Sequence, residues 1–128
     1  MSFEIQVTRR PGDPGKTATV VRLSGTLDIV SAKEADRVLS PLVATAPKVV
    51  IFDLGELRFL DSTGIGALLA ARRGIDVKGG KAFFTNMQPQ IRKVFDIVQA
   101  LPASAVFKSM KELDDYLKDV QEKAEEEG

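Results

Sequence analysis

The chain has 128 residues, of which 44% are hydrophobic and 28% are charged, a size and balance that suit one globular domain with its own core. Its eighteen basic and eighteen acidic residues cancel, and neither a signal-peptide start nor an apolar stretch of membrane-spanning length is present, so we expect a cytoplasmic protein with no nucleic-acid or membrane partner. The lack of cysteine and histidine excludes disulfides and thiol chemistry and removes most classes of enzyme, and we expect no cofactor and no metal ion.

The first part of the chain predicts a β-hairpin followed by a helix. Apolar and polar residues alternate over residues 3–7, which is the period-two pattern of a strand. The turn-forming segment 9–16 should return the chain to a second strand over residues 17–24. A capping box begins at Ser31, and the helix that follows should kink or end early at Pro41.

The middle of the chain predicts a buried strand that leads to a second helix. Residues 49–52 form a continuous apolar run, which suits a central strand covered on both faces. Polar residues and a glycine follow, so we expect the chain to leave the sheet there. Asp61, Ser62 and Thr63, all residue types that favour helix N-caps, then precede a helical pattern that glycines at 79–80 close. We expect Ser62 to open this helix.

The last third predicts two strands and two helices. Residues 82–85 form a short apolar strand, and Pro89 fits the first position of a helix that ends at residues 101–102. Residues 105–107 could form a short edge strand, and a second capping box at Ser109 opens the final helix.

Strands that alternate with helices predict an α/β fold in a single domain. We expect a sheet of about four to five strands covered by about four helices, and the opening hairpin makes this sheet mixed. We place the domain at residues 1–120. Residues 121–128 are polar and acidic, and we interpret them as a helix end and a frayed tail.

Ser62 is the candidate functional residue. Backbone N–H groups point outward at a helix N-terminus and the helix dipole favours negative charge, so a phosphate on Ser62 fits there without unfolding. Gly64 and Gly66 should leave the first turn bare, so that another protein could approach its backbone closely. The same residues also suit a plain capping serine beside two packing glycines, and both interpretations stay open at this point.

Catalytic and metal-binding interpretations are weaker. Ser62 lies at a strand-to-helix junction, as some nucleophiles do, but the Gly-x-Ser-x-Gly spacing is absent and no histidine can take its proton. Asp28, Asp53 and Asp61 could together hold a magnesium ion. Their ligand count is short, and such residues more often cap helices.

Three motifs resemble those of the anti-sigma factor antagonists, the bacterial anti-anti-sigma branch of the STAS domain family. Leu60–Gly66 is similar to the family's phosphorylation motif, and Gly25–Asp28 is similar to the Gly-Glu-Leu-Asp at the end of its second strand. Pro89 with Arg92–Ile97 is similar to the family's third helix. In order and spacing the match covers roughly residues 3 to 120.

The resemblance implies the STAS fold and a partner-switching function. In the family, the unphosphorylated protein binds an anti-sigma factor with serine kinase activity and so frees the sigma factor. The kinase then uses its own ATP to phosphorylate the antagonist, which dissociates until a PP2C-type phosphatase restores it. Carried over to this chain, the phosphorylated residue is Ser62 and Asp28 is the family's aspartate near the site. The implied partner-binding residues are Asp28, Asp61, Ser62, Thr63, Gly64, Ile65 and Gly66.

The chain departs from the family pattern at several points. Thr26 replaces the usual acidic residue, Ala100–Leu101 stands where the family often has Gly-Leu, and the first hairpin and the tail are longer than usual. These departures concern the partner's identity more than the fold. Related STAS proteins regulate other targets, including a lipid-transport complex, and in that alternative Ser62 only caps its helix. We expect a monomer or a weak dimer.

Overall fold

A computed structural model describes residues 2–11, 17–97 and 105–127 of the chain. Over these residues strands and helices alternate after an opening pair of strands. In chain order the elements are β1 (Phe3–Pro11), β2 (Thr17–Leu27), α1 (Ser31–Ala44), β3 (Val49–Leu60), α2 (Ser62–Val77), β4 (Lys81–Thr85), α3 (Pro89–Ile97), β5 (Val106–Phe107) and α4 (Met110–Glu127).

The strands form one sheet in the order β1-β2-β3-β4-β5. β1 pairs antiparallel with β2, and each later strand pairs parallel with its neighbour. Parallel neighbours need a crossover connection, which helices α1, α2 and α3 provide or contribute to. The structure therefore confirms the predicted mixed sheet with its helical cover.

The central strands are buried on both faces. Successive residues of a strand point to opposite faces, so β2, β3 and β4 contribute to two separate cores. The larger core joins the sheet to α1, α2 and α3, and the smaller core joins it to α4. The neighbouring residues that divide between the larger and the smaller core are Val21 and Val20, Phe52 and Ile51, and Phe84 and Phe83.

β3 is longer than the sequence predicts. The apolar run over residues 49–52 is only its first part, and the expectation that the chain leaves the sheet there is wrong, because β3 continues to Leu60. Two irregularities in its pairing with β2, one before Ser24 and one before Thr26, each insert an extra residue into β3. Buried residues in its second half therefore recur at every third position, and the alternation of a strand disappears. These residues are Leu54, Leu57 and Leu60.

α1 passes through Pro41 and ends at Ala44, so the expected early end is wrong. A proline at this position cannot donate a hydrogen bond to the carbonyl of Arg37, four residues earlier. Both residues are exposed. Water can therefore satisfy that carbonyl, and the helix continues.

The predicted helix and strand boundaries of the C-terminal half are largely confirmed. The N–H of Gly80 donates to the carbonyl of Ile75 at 2.9 Å and closes α2. Pro89 is the first residue of α3, and β5 is the predicted edge strand. The hydroxyl of Ser109 accepts the N–H of Glu112 at 3.1 Å, as expected for a serine that caps α4.

α4 continues to Glu127, so this helix ends later than the tail interpretation of residues 121–128 predicts. The turn predicted at 9–16 begins too early, because residues 9–11 still belong to β1. Residues 12–16, the helix end at 101–102 and Ala100 lie outside the described residues. In the described part of the chain, none of the helices is both long enough and apolar enough to cross a membrane.

Candidate functional site

The candidate site lies where two parallel strands end side by side. Leu27 and Leu60 are partners in the pairing of β2 with β3 and are the last residues of those strands. Asp28 and Asp61 follow them directly. The register therefore brings the two predicted aspartates to the same edge of the sheet.

Asp61 is the N-cap of α2. Its Oδ1 accepts the N–H of Gly64 at 2.8 Å, which satisfies one of the free donors of the first helical turn. Its Oδ2 accepts the N–H of Ile29 at 3.2 Å, and its own N–H donates to the carbonyl of Leu27 at 3.2 Å. Asp61 therefore joins the start of α2 to the turn between β2 and α1.

Asp28 performs the equivalent role for α1. Its Oδ1 accepts the N–H groups of Val30 and Ser31, each at 3.0 Å. The Ser31 hydroxyl lies 3.1 Å from the same oxygen, accepts the N–H of Asp28 at 2.8 Å and donates to the carbonyl of Thr26 at 2.7 Å. Ser31 is the first residue of α1, and Val30 precedes it as the N-cap position. The predicted capping box at Ser31 is therefore wrong, because Asp28 supplies the acceptor.

These contacts also act on the charge of Asp28. The hydrogen bond from the backbone N–H of Ser31 stabilises the carboxylate and lowers the pKa of Asp28 below its ordinary value. Partial desolvation opposes this shift, and hydrogen bonds from the Ser31 hydroxyl and the Val30 N–H add to it. Asp28 therefore carries a full negative charge at neutral pH.

Ser62 is exposed and is the first residue of α2. Among the described residues, its hydroxyl has no hydrogen-bond partner, because Asp61 supplies the cap. Asp61 also accepts the first helical hydrogen bond, from the N–H of Ile65 to its carbonyl at 2.9 Å. The interpretation of Ser62 as the capping side chain is therefore wrong, and its hydroxyl is available to another molecule.

The two glycines after Ser62 have different environments. Gly64 is buried, and a Cβ atom there would lie 2.2 Å from the carbonyl oxygen of Leu27, a distance that only a glycine avoids. Gly66 is exposed, and a Cβ there would have no neighbour within 4 Å. The expectation of a bare first turn therefore holds for Gly66 and is wrong for Gly64.

Not every predicted partner-binding residue is accessible. Ile65 is 5% exposed and packs in the larger core, and Gly64 lies against the backbone of Leu27 at the end of β2. A partner can reach Ser62 and Thr63, both of which are exposed. The binding role of these residues stays a prediction.

Three exposed apolar residues beside this site do not follow from sequence patterns. Ile29 and Val30 form the turn after Asp28 and are 63% and 76% exposed. Phe59 pairs with Thr26 near the end of β3 and is 52% exposed. In the sequence they resemble core positions, and only their place at the strand ends exposes them.

Asp53 is not part of the site. It lies inside β3, where Oδ1 accepts the N–H of Gly55 and the side-chain amide of Asn86, both at 3.1 Å, and Oδ2 pairs with Arg22 at 3.2 Å. Asp28, Asp53 and Asp61 therefore do not converge on one metal ion. Over the described ranges, no group of three or more acidic residues is placed to hold one.

The family of the chain follows from comparison with known proteins. The family model of the STAS domain matches residues 4–113, which include every element from β1 to the first turn of α4. The chain belongs to the STAS domain family. The candidate site therefore lies at the start of the second helix of a STAS domain.

The proteins that this STAS domain resembles have names that refer to different functions. The anti-sigma F factor antagonist of Lysinibacillus sphaericus is 28% identical over 96 residues, which cover 74% of this chain and 77% of the relative. Among solved structures, the unphosphorylated anti-sigma factor antagonist SpoIIAA has a TM-score of 0.71 at 23% identity and covers 91% of this chain and 97% of its own. A sulfate transporter family protein from Wolinella succinogenes has a TM-score of 0.69 at 19% identity, with coverages of 82% and 88%. These likenesses confirm the STAS fold, and the fold alone does not select a function.

Proposed function

We propose that this STAS domain is an anti-sigma factor antagonist that phosphorylation of Ser62 switches off. In this proposal the unphosphorylated form binds an anti-sigma factor with serine kinase activity in the cytoplasm, as a monomer or a weak dimer. A PP2C-type phosphatase restores the binding form. The names of relatives such as the Lysinibacillus sphaericus protein support the general role.

The single observation that carries the proposal is that the exposed hydroxyl of Ser62 makes no hydrogen bond to any described residue. A serine that capped α2 would have its oxygen committed to a backbone N–H, but Asp61 makes that contact at 2.8 Å. Ser62 is instead exposed at the first position of the helix. A kinase can therefore modify it without breaking a hydrogen bond between described residues.

A phosphate on Ser62 should weaken partner binding strongly, because two carboxylates lie close to it. A phosphoserine adds about −1.5 to −2 charge at pH 7. Asp61 is its neighbour in sequence and Asp28 lies in the turn that Asp61 contacts, so the added charge meets two carboxylates. In an interface, such an unpaired charge costs about 2–5 kcal/mol, which weakens binding roughly 30- to 5,000-fold.

The proposed activity is binding, and catalysis belongs to the partner kinase. The chain has no histidine and no cysteine, and among the described residues the Ser62 hydroxyl has no base within hydrogen-bond reach. An esterase or phosphatase activity that highly purified protein shows and that Ser62→Ala abolishes would overturn this part of the proposal.

The test is a capture experiment with two matched baits, Ser62→Ala and Ser62→Asp, in lysate of the native cell. Because Ser62 does not cap α2, we expect both variants to keep the wild-type fold and melting temperature, and any difference in binding then reports the added charge. We expect the alanine bait to retain an ATPase-type kinase that the aspartate bait loses. Retained proteins are identified by mass spectrometry.

A phosphorylation assay completes the test. The retained kinase, purified and supplied with ATP, should phosphorylate the wild-type protein and the control variant Thr63→Ala but not Ser62→Ala. Equal retention of the same proteins by both baits would instead indicate a STAS subunit docked constitutively on another target.

A further inference from the structure

β1 is the outermost strand on one side of the sheet, and its second edge is unpaired among the described residues. The strand pairs only with β2 there, over all nine residues of Phe3–Pro11. Natural edge strands are usually kept short, because an exposed edge is a template for a further strand. Glu4 and residues 6–9 are exposed. The free edge of β1 is therefore long and open to another chain.

One hydrogen bond shows which backbone groups of β1 point to the free edge. The N–H of Thr26 donates to the carbonyl of Ser2 at 3.1 Å, and the register of β1 with β2 continues from this pair without a shift. In an antiparallel pair, residues that bond the neighbouring strand alternate with residues that point away from it. The even-numbered residues of β1 therefore bond β2, and the odd-numbered residues 3–9 direct their N–H and C=O groups to the free edge.

The sequence of β1 protects this edge only near its ends. Pro11 is odd-numbered, so the N–H that it lacks is one that β2 would not use, as expected for proline in an edge strand. Charged side chains, which commonly protect edges, are present at position 4 and at positions 9 and 10. The centre of the strand carries Gln6, Val7 and Thr8, which have no charge. The centre is therefore suited to pairing.

The side chains of β1 are self-complementary in an antiparallel arrangement. When β1 pairs with a second copy of itself over its full length, Val7, which is 41% exposed, faces its equivalent on the two-fold axis. Glu4 of each copy then lies opposite Arg10 of the other, at a pair without backbone hydrogen bonds, where side chains are closest. Ile5 lies opposite Arg9. Like charges therefore never face each other in this register.

Arg10 is already ordered for the contact with Glu4. Its guanidinium donates to the carboxylate of Asp114 on α4. A guanidinium has five N–H donors and can bind a second carboxylate at the same time. Glu4 is exposed and has no ion pair with a described residue. Two symmetric contacts of this kind favour a second copy of this chain over an unrelated strand.

We propose that two copies of this chain pair through β1, so that two five-stranded sheets become one continuous sheet with a two-fold axis at Val7. The outward N–H and C=O groups of residues 3–9 then bond the other copy. This pairing goes beyond the proposed function and does not depend on it, because Ser62 lies at the start of α2 and takes no part in β1.

Sedimentation equilibrium over a concentration series tests the pairing. We expect the wild type to show a monomer–dimer equilibrium. Val7→Lys brings two positive charges together at the axis and should raise the dimer Kd about tenfold or more. The matched control is Val77→Lys, which adds the same charge at an 83% exposed position at the end of α2. It should leave Kd within about twofold of the wild type, because distant exposed charges are screened.

A charge swap tests the register. Glu4→Arg places like charges opposite each other at both ends of the paired strands, and Arg10→Glu does the same with the opposite sign. Each variant alone should be monomeric where the wild type is dimeric. An equal mixture of the two should dimerise again, because every contact then joins opposite charges. Thermal unfolding checks that both variants fold, since Arg10→Glu also loses Asp114. Folded variants that stay monomeric when mixed would overturn this register.

Hydrogen exchange identifies the surface that pairs. The amides of Ile5, Val7 and Arg9 should exchange more slowly as the protein concentration rises, whereas those of Gln6 and Thr8 already bond β2 and should not change. A wild type that stays monomeric at every concentration overturns the proposal. A dimer that leaves the three outward amides unprotected forms through another surface and overturns it as well. Both results leave the Ser62 switch to the capture experiment, which tests it separately.

Discussion

The starts of α1 and α2 have similar capping contacts, but the serine at each start has a different environment. Both helices follow a strand of the sheet and begin with a serine, and in both an aspartate carboxylate accepts one backbone N–H of the first turn. Ser31 is 8% exposed and its hydroxyl bonds the carbonyl of Thr26 at 2.7 Å. Ser62 is exposed, with no such bond among the described residues. One serine stabilises the fold, and the other has the exposed hydroxyl on which the proposed function depends.

The spacing between aspartate and serine explains the difference. Two residues separate Asp28 from Ser31. This short turn brings the Ser31 hydroxyl to the end of β2, where it donates to the carbonyl of Thr26. Asp61 is directly followed by Ser62, so the serine stands outside the turn. In both places the aspartate makes the capping contact. Among the described residues the hydroxyl of Ser62 makes no hydrogen bond, and the N–H of Gly64 is capped by Asp61 instead.

The strongest contrast within the second helix start lies between its two glycines. We expect Gly64→Ala to lower the free energy of unfolding by about 3 kcal/mol or more, because a Cβ at 2.2 Å from the Leu27 carbonyl forces backbone apart. Gly66→Ala is the matched control and should raise stability by about 0.5–1 kcal/mol, because the site is open and alanine favours the helix. Urea denaturation measures both. Equal effects of the two substitutions would contradict the close approach of α2 to β2.

The two serines give the next largest contrast. Ser31→Ala should lower stability by about 1–3 kcal/mol, because the buried carbonyl of Thr26 and the N–H of Asp28 lose a partner. Ser62→Ala should change stability by less than about 0.5 kcal/mol, as expected for an exposed side chain without a described partner. Thermal unfolding of the two variants side by side is sufficient. A large loss for Ser62→Ala would restore the capping role that the structure assigns to Asp61.

Removal of the Asp61 carboxylate tests the N-cap of α2 directly. Asp61→Ala should lower stability by about 0.5–2 kcal/mol, since Gly64 loses the acceptor of its N–H and Ile29 loses its tie to α2. Asp61→Asn keeps one oxygen that can cap Gly64 and should lose less stability than the alanine variant, although its amide nitrogen cannot accept the N–H of Ile29. Native-state hydrogen exchange should show faster exchange of the Gly64 amide in the alanine variant alone. Unchanged exchange there would mean that another group protects this amide.

Sequence patterns predicted the layers of this fold better than the details of its helix starts. The apolar runs of β2, β3 and β4 are long enough to identify central strands. Pro89 identifies the start of α3 and Gly80 the end of α2, whereas Pro41 lies inside α1. The second half of β3 was not predicted, because its irregular pairing places buried residues at 54, 57 and 60, outside the period of two. The period of apolar residues predicts strands that pair regularly, and it does not predict an irregular pairing such as that of β3 with β2.

The sequence named the residues of the candidate site, but it did not reveal which contacts each of them makes. Asp61, Ser62 and Thr63 are all good caps in isolation, and only the position of Gly64 relative to Asp61 decides which side chain is used. The exposure of Phe59 follows from a strand register that the sequence does not reveal. The resemblance to the STAS family points to Ser62 and Asp28 without these details, and their roles stay a prediction.

The charge of Asp28 gives the smallest expected effect and the most specific one. Hydrogen bonds at the start of α1 lower the pKa of Asp28 in the folded state. Its contribution to stability is therefore complete above the unfolded pKa of about 3.9 and is lost as the pH falls through the lower, folded pKa. Asp28→Asn keeps an oxygen acceptor but has no charge to titrate, so its deficit relative to the wild type should shrink as the pH falls below about 4.

Chemical denaturation of the wild type and Asp28→Asn across the acid range measures this deficit, with Asp115→Asn as a matched loss of one exposed carboxylate on α4. A deficit of Asp28→Asn that is the same at every pH would show that the Ser31 and Val30 amides bind the Asp28 oxygen equally well without its charge. A deficit that shrinks in acid ties the start of α1 to an ionised aspartate. The turn that carries Ile29 and Val30 would then be held by charge as well as by geometry.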